Sequence, residues 1–134
     1  MGQSTFQGPV RSLNGVYSQG PGTVIPLAAA TLTVVYTFFI ATTATAIKIR
    51  TTSSTPGDLF VGSVITGKDN TLTAGGTATW VPNGSSNDVI SLTGTTAGGI
   101  AGSYITVVAV DTNKYLVQGV LIGSGTLVTP FADS

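Results

Sequence analysis

The sequence predicts an all-β protein, an antiparallel β-sandwich or jelly-roll-like barrel with an extended N-terminal arm and a short C-terminal tail. Three observations predict it. The chain carries 23 threonines and 18 glycines in 134 residues; threonine is β-branched and suits a pleated strand, and glycine is a poor helix former that suits tight turns. Apolar residues make up 42% and charged residues only 7%, where an ordinary soluble protein has about 25% charged. That is too apolar for a disordered chain, and it leaves a surface of hydroxyls and amides. The apolar residues also recur with period two, the spacing of a strand with one buried face. A chain of this length suits a single domain, burying about two-thirds of the surface its unfolded form exposes.

Residues 1–22 are rich in Gly, Gln, Ser and Pro, with isolated apolar anchors at Phe6, Val10, Leu13 and Tyr17 and no periodic run. This is the extended arm, and the body spans 23–124. No charge occurs from Ser12 to Ile47, long enough for a membrane span of about 20 residues. Pro26 and the repeated threonines argue against a span, and no basic cluster precedes it to set an orientation. The pattern is a strand's: Leu32, Val34, Tyr36, Phe38 and Ile40 alternate with Thr31, Thr33, Val35, Thr37 and Phe39. One face is then fully buried and the other partly. Ala44 to Arg50 reads as a second strand, with Ile47 and Ile49 inward and Lys48 and Arg50 outward.

Short strands follow at Leu59–Thr66, Ala78–Pro82 and Asp88–Thr93, separated by turn-rich pieces such as "STPGD", "GKDN" and "PNGSSND". Ser103 to Ile122 reads as a hairpin around Asp111–Lys114. Setting Val110 opposite Tyr115 places Val108 against Val117 and Tyr104 against Leu121, with apolar residues on both faces, so that both strands should be covered on both sides. The turn is either a two-residue loop or a four-residue type I turn. Residues 125–134 form the tail, carrying Leu127, Val128 and Phe131.

Several functions are excluded or disfavoured. Five bases, Arg11, Lys48, Arg50, Lys68 and Lys114, balance five acids and are scattered; no basic stripe exists to neutralise phosphates, so no nucleic acid is expected as a partner. No membrane partner is expected either. The chain has no cysteine, histidine or glutamate, which removes disulfides, thiolates and imidazole relays and leaves aspartate as the only carboxylate side chain. The start lacks a signal peptide's apolar core and narrowly misses the myristoylation pattern at Phe6. Asn83-Gly84-Ser85 matches a glycosylation acceptor and reads more simply as a turn. "GTTAGGIAG" lacks the Gly-Lys-Ser/Thr ending of a phosphate loop and reads as a flexible turn. Asp58, Asp69, Asp88 and Asp111 sit in turns, where a carboxylate caps the backbone, and no run supplies the oxygens calcium needs. Trp80, Tyr17, Tyr36, Tyr104 and Tyr115 could stack on a sugar, but aromatics inside strands belong more often to the core. No catalytic residue, metal ligand or cofactor is expected.

Two stretches carry a resemblance. "YITVVAVDTNKYLVQGVLIGSGTLVTPFADS" is a hairpin whose second strand holds an aromatic-Leu-Val-x-Gly unit, followed by Gly-x-Gly-Thr and Thr-Pro-Phe. It resembles the ends of small capsid decoration, or cement, proteins of tailed bacteriophages. The opening "MGQSTFQGPVRSLNGVY" is similar to the starts of small structural proteins of marine and cyanobacterial phages, and together the two cover less than half of the chain. The resemblance implies a virion protein that forms homotrimers, binds the outside of the major capsid protein shell and staples neighbouring capsomers. On that reading the arm reaches the shell through the anchors Phe6 and Tyr17, with Arg11 pairing with a capsid carboxylate. Tyr36, Phe39, Leu127 and Phe131 are the expected subunit interface. The alternative is a phage tail or fibre component, or a carbohydrate-binding sandwich for host recognition.

Overall fold

Strands form where apolar residues alternate with hydroxyl-bearing ones, and glycine-rich or asparagine-rich pieces turn the chain between them. The computed structural model describes residues 24–27, 35–51, 57–69 and 75–134. Among these are nine strands, β1 (Val24–Leu27), β2 (Val35–Phe39), β3 (Ile47–Thr51), β4 (Leu59–Lys68), β5 (Thr77–Trp80), β6 (Val89–Leu92), β7 (Tyr104–Asp111), β8 (Lys114–Gly123) and β9 (Phe131–Ala132). They make two sheets, one of four strands in the order β1-β3-β6-β9 and one of five in the order β2-β7-β8-β4-β5. Both sheets contribute to one buried apolar cluster, so the fold is an all-β sandwich. It is mostly antiparallel; β1 with β3 and β4 with β8 pair in parallel.

The uncharged stretch that raised the membrane question holds β1 and β2, one strand in each sheet, and ends where β3 begins. β2 turns Tyr36, Phe38 and then Ile40 toward the core, and β3 turns Ile47 and Ile49, as the alternation predicts. The five-stranded sheet adds Phe60, Val64, Ile105, Val107, Tyr115, Val117 and Leu121 to the cluster. The four-stranded sheet answers with Leu27, Ile47, Ile49, Ile90, Leu92 and Phe131.

The β7–β8 hairpin corrects the expected register. Tyr115 lies opposite Ala109, Val117 opposite Val107 and Tyr104 opposite Val120, with an irregularity between Ala109 and Asp111. Val110 is the extra residue of a bulge, and Thr112-Asn113 is a two-residue loop closed by the Asp111–Lys114 pair. A slip of one residue moves every side chain of one strand to the other face. The inner face is therefore Ile105, Val107 and Ala109 with Tyr115, Val117 and Leu121, all buried, whereas Tyr104, Val108, Leu116 and Val120 point away from the core. Both strands are central in their sheet, yet among the described residues only one face is covered, contrary to the sequence expectation.

The glycine-rich piece Gly94–Gly102 also departs from expectation. It is a packed plug at one end of the sandwich. The Ala44 N–H donates to the Gly99 carbonyl at 2.8 Å, the Gly102 N–H to the Ile40 carbonyl at 2.8 Å, and the Ile100 N–H to the Ile122 carbonyl at 3.0 Å. Ala97, Gly98 and Gly99 are buried. Gly98 has φ +84°, and a Cβ there would press into the Leu121 side chain, so glycine is needed for close approach rather than for mobility.

The end of the chain returns to the body. Phe131 pairs with Ile90 and Ala132 with Val89, and the Ser134 N–H donates to the Asp88 carboxylate at 2.8 Å. Apolar area explains the return: Phe131 is 5% exposed, and burying an aromatic of this size contributes about 2 kcal/mol.

Candidate docking face

The outer face of the five-stranded sheet carries ordered rows of side chains that follow from the register. The first row crosses four strands. Phe39 lies beside Tyr104, Tyr104 beside Val120, and Val120 beside Ile65, and these four are 47%, 47%, 38% and 46% exposed. Two residues along each strand lies a hydroxyl and amide row, Thr37, Thr106, Gln118 and Ser63. Two residues further is a third row, Val35, Val108, Leu116 and Val61, in which Val35 is 50% exposed and the others are half-buried. The pattern is apolar, polar, apolar.

None of these twelve residues is Asp, Glu, Lys or Arg. Charges stand at the rim instead: Asp111 and Lys114 at the hairpin tip, 3.8 Å apart and both well exposed, and Lys68 at the far end of β4. The four-stranded sheet differs. Its outer positions include exposed Lys48 beside Ser91 and partly exposed Arg50 beside Val89, an ordinary solvated surface.

The expected site residues are distributed as follows. Phe6, Arg11 and Tyr17 lie outside the described residues. Phe39 is on the docking face. Tyr36 is half-buried on the opposite face of the same strand, its ring 6.3 Å from Phe38 and 6.4 Å from Tyr115. Leu127 is half-buried in the loop before β9, and Phe131 is a core residue. The structure therefore does not gather these four at one place. It gathers Phe39 with Tyr104, Val120 and Ile65, which sequence reasoning missed because it expected both faces of the β7–β8 hairpin to be covered and paired Tyr104 with Leu121 instead of Val120. The signal that could have found them is the alternation Tyr104-Thr106-Val108 and Leu116-Gln118-Val120, whose polar members cannot sit in a dry core unpaired.

The remaining chemical candidates resolve into structural roles. Asp111 Oδ1 accepts from the Thr112 N–H at 2.8 Å, a local turn cap as expected. Asp88 instead accepts across the chain from Ser134. Asn83 Oδ1 accepts from the N–H groups of Ser85, Ser86 and Asn87 at 3.0, 2.9 and 3.0 Å, and its Nδ2 donates to Ser86 Oγ at 2.7 Å. That is the turn reading of the apparent glycosylation site. Tyr115 is fully buried, and burial first, then Tyr36 and Asp58, pushes its phenol well above the ordinary tyrosine range. Trp80 is half-buried against the core, and its Nε1 is buried without a hydrogen-bond partner. Of the described aromatics proposed for a sugar platform, only Tyr104 is broadly exposed. Among the described residues no group of three or more Asp, Glu, His or Cys could hold a metal ion. No protein-family model, curated protein or solved structure matches the chain.

Proposed function

We propose that the chain is a virion structural protein of a tailed phage, a capsid decoration subunit that binds the outside of the major capsid protein shell as a homo-oligomer and staples neighbouring capsomers. The observation that carries this reading is the uncharged, apolar outer face of the five-stranded sheet. The largest apolar patch on a protein surface is often functional, and a subunit that works inside an assembly covers such a face there. The resemblance at both ends of the chain supplies the capsid as the assembly. In this reading the arm makes the shell contact: Phe6 and Tyr17 fill apolar depressions, and Arg11 pairs with a carboxylate, a contact that weakens as salt rises.

The test is cosedimentation with empty shells of the virus that encodes the chain, together with mass spectrometry of its purified virions. The full chain is expected in both. A chain lacking residues 2–17 should keep its fold, read by near-ultraviolet circular dichroism, and no longer sediment with shells. Absence from the virion, or shell binding unchanged by the deletion, refutes the corresponding part of the reading.

A further inference from the structure

We propose that the outer face of the five-stranded sheet is the contact between two copies of this chain, packed sheet on sheet about a two-fold axis. The first support is the row pattern. A face-to-face pair has its two-fold axis in the plane of contact, along the rows or along the strands. Either axis carries the stripe order apolar, polar, apolar onto itself. Row by row, the face is complementary to a second copy of itself, as an isologous interface requires.

The polar row fits the same partner. Thr37, Thr106, Gln118 and Ser63 have hydroxyl or amide groups that both donate and accept, so like meets like without an unmatched donor or acceptor. A row of carboxylates or ammonium groups could not do this, because like charges brought together and desolvated repel. The absence of ionised side chains on the face removes that obstacle, and it also offers nothing for a charged partner to select.

Area sets the strength. Rows that cross four strands about 4.8 Å apart and lie four residues apart make a footprint of about 400 Å² per copy once side-chain radii are included. Two copies thus bury about 800 Å² in total, below the roughly 1,000 Å² of a stable specific interface and in the range of a weak, transient one. The pair is therefore a modest, concentration-dependent association, with aligned sheet packing at about 30° and an inter-sheet distance of about 10 Å. Phe39 and Tyr104 would be its aromatic anchors. A two-fold pair is an even-numbered assembly and so departs from the trimer that the sequence resemblance implies.

The inference rests on the homo-oligomer in the proposed function and not on the capsid, so the two fail separately: shell binding tests one, and the molar mass of the purified chain tests the other. Light scattering after size exclusion, across a hundredfold dilution series, is expected to move from twice 13.4 kDa toward the monomer mass of 13.4 kDa. Val120→Lys places a charge at the centre of the apolar row and should weaken the association at least tenfold. Phe39→Asp, on the edge strand, does the same and carries the test if Val120→Lys unfolds by near-ultraviolet circular dichroism. Lys48→Glu, on the outer face of the other sheet, should match the unaltered chain. A monomer at every concentration overturns the proposal, as does a trimer or a dimer whose stability neither substitution changes.

Discussion

The two faces of the five-stranded sheet both carry large apolar side chains and have opposite fates. Phe60, Val64, Val107, Val117 and Leu121 on the inner face are fully buried. On the outer face Phe39, Ile65, Tyr104 and Val120 keep between 38% and 47% of their surface in water. Hydrophobicity does not separate them, since valine, isoleucine, leucine and aromatics occur on both. What separates them is the middle row, Thr37, Thr106, Gln118 and Ser63, which needs water or a matching partner. The outer face of the four-stranded sheet marks the ordinary solution, with Lys48 and Arg50 facing solvent.

Breaking the inner face should have the largest effect. Phe60 is fully buried, with its ring 6.3 Å from that of Tyr115, and Phe60→Ala should lower the unfolding free energy by about 3–5 kcal/mol. Urea denaturation at a concentration where the chain is monomeric measures it. A loss below about 1 kcal/mol would mean that the two faces are not energetically distinct.

The inner face should also respond to alkali. Tyr115 binds its proton more tightly when folded than when unfolded, so below an ordinary tyrosine pKa of about 10 both states are protonated and its contribution to stability is constant. Above that pH the unfolded state releases the proton while the folded state keeps it. Stability should then fall by about 1.4 kcal/mol per pH unit. A urea series from neutral to alkaline pH should show the fall begin near the unfolded pKa, and Tyr115→Phe should flatten it.

A smaller effect of opposite sign is expected at Thr66, whose buried Oγ1 has no hydrogen-bond partner. Thr66→Val keeps the shape and replaces the hydroxyl with a methyl group, and should raise stability by about 1 kcal/mol. A thermal or urea midpoint that drops instead would show that the hydroxyl is satisfied in solution.

The outer face should be nearly silent in the monomer. Val120→Thr is expected to change unfolding free energy by less than about 0.5 kcal/mol while weakening the self-association measured by light scattering. This pairing of small and specific effects sharpens the contrast with Phe60→Ala. Equal losses of folding stability at both positions would erase it.

Much of the sandwich was legible before the structure. The alternation from Tyr36 to Ile40 and from Ile47 to Arg50 gave the inward and outward residues of β2 and β3 directly, because a pleated strand sends successive side chains to opposite faces. The strand at Leu59 was legible as an apolar run between turn-rich pieces, and the hairpin as two apolar runs around Asp111–Lys114. The candidate face was not legible. One extra residue at Val110 shifts the β7–β8 pairing, and a one-residue error there inverts every assignment on one strand. The return of Phe131–Ala132 to the edge of the four-stranded sheet was hidden by its brevity, since two paired residues leave no periodic signal.

The sequence by itself determined the class of the protein: a β-rich, charge-poor chain without imidazole or thiol chemistry, in which threonine and valine set the strands and glycine and asparagine set the turns. These are local properties, fixed by each side chain's effect on its own backbone and by a two-residue period. Only the tertiary structure decided which apolar residues are core and which are surface, that β4 runs parallel to β8, and that Gly94, Gly98 and Gly99 are buried in a plug. Those outcomes depend on register and on close approach between segments far apart in the chain, and a single bulge or a missing Cβ changes them without altering the composition at all.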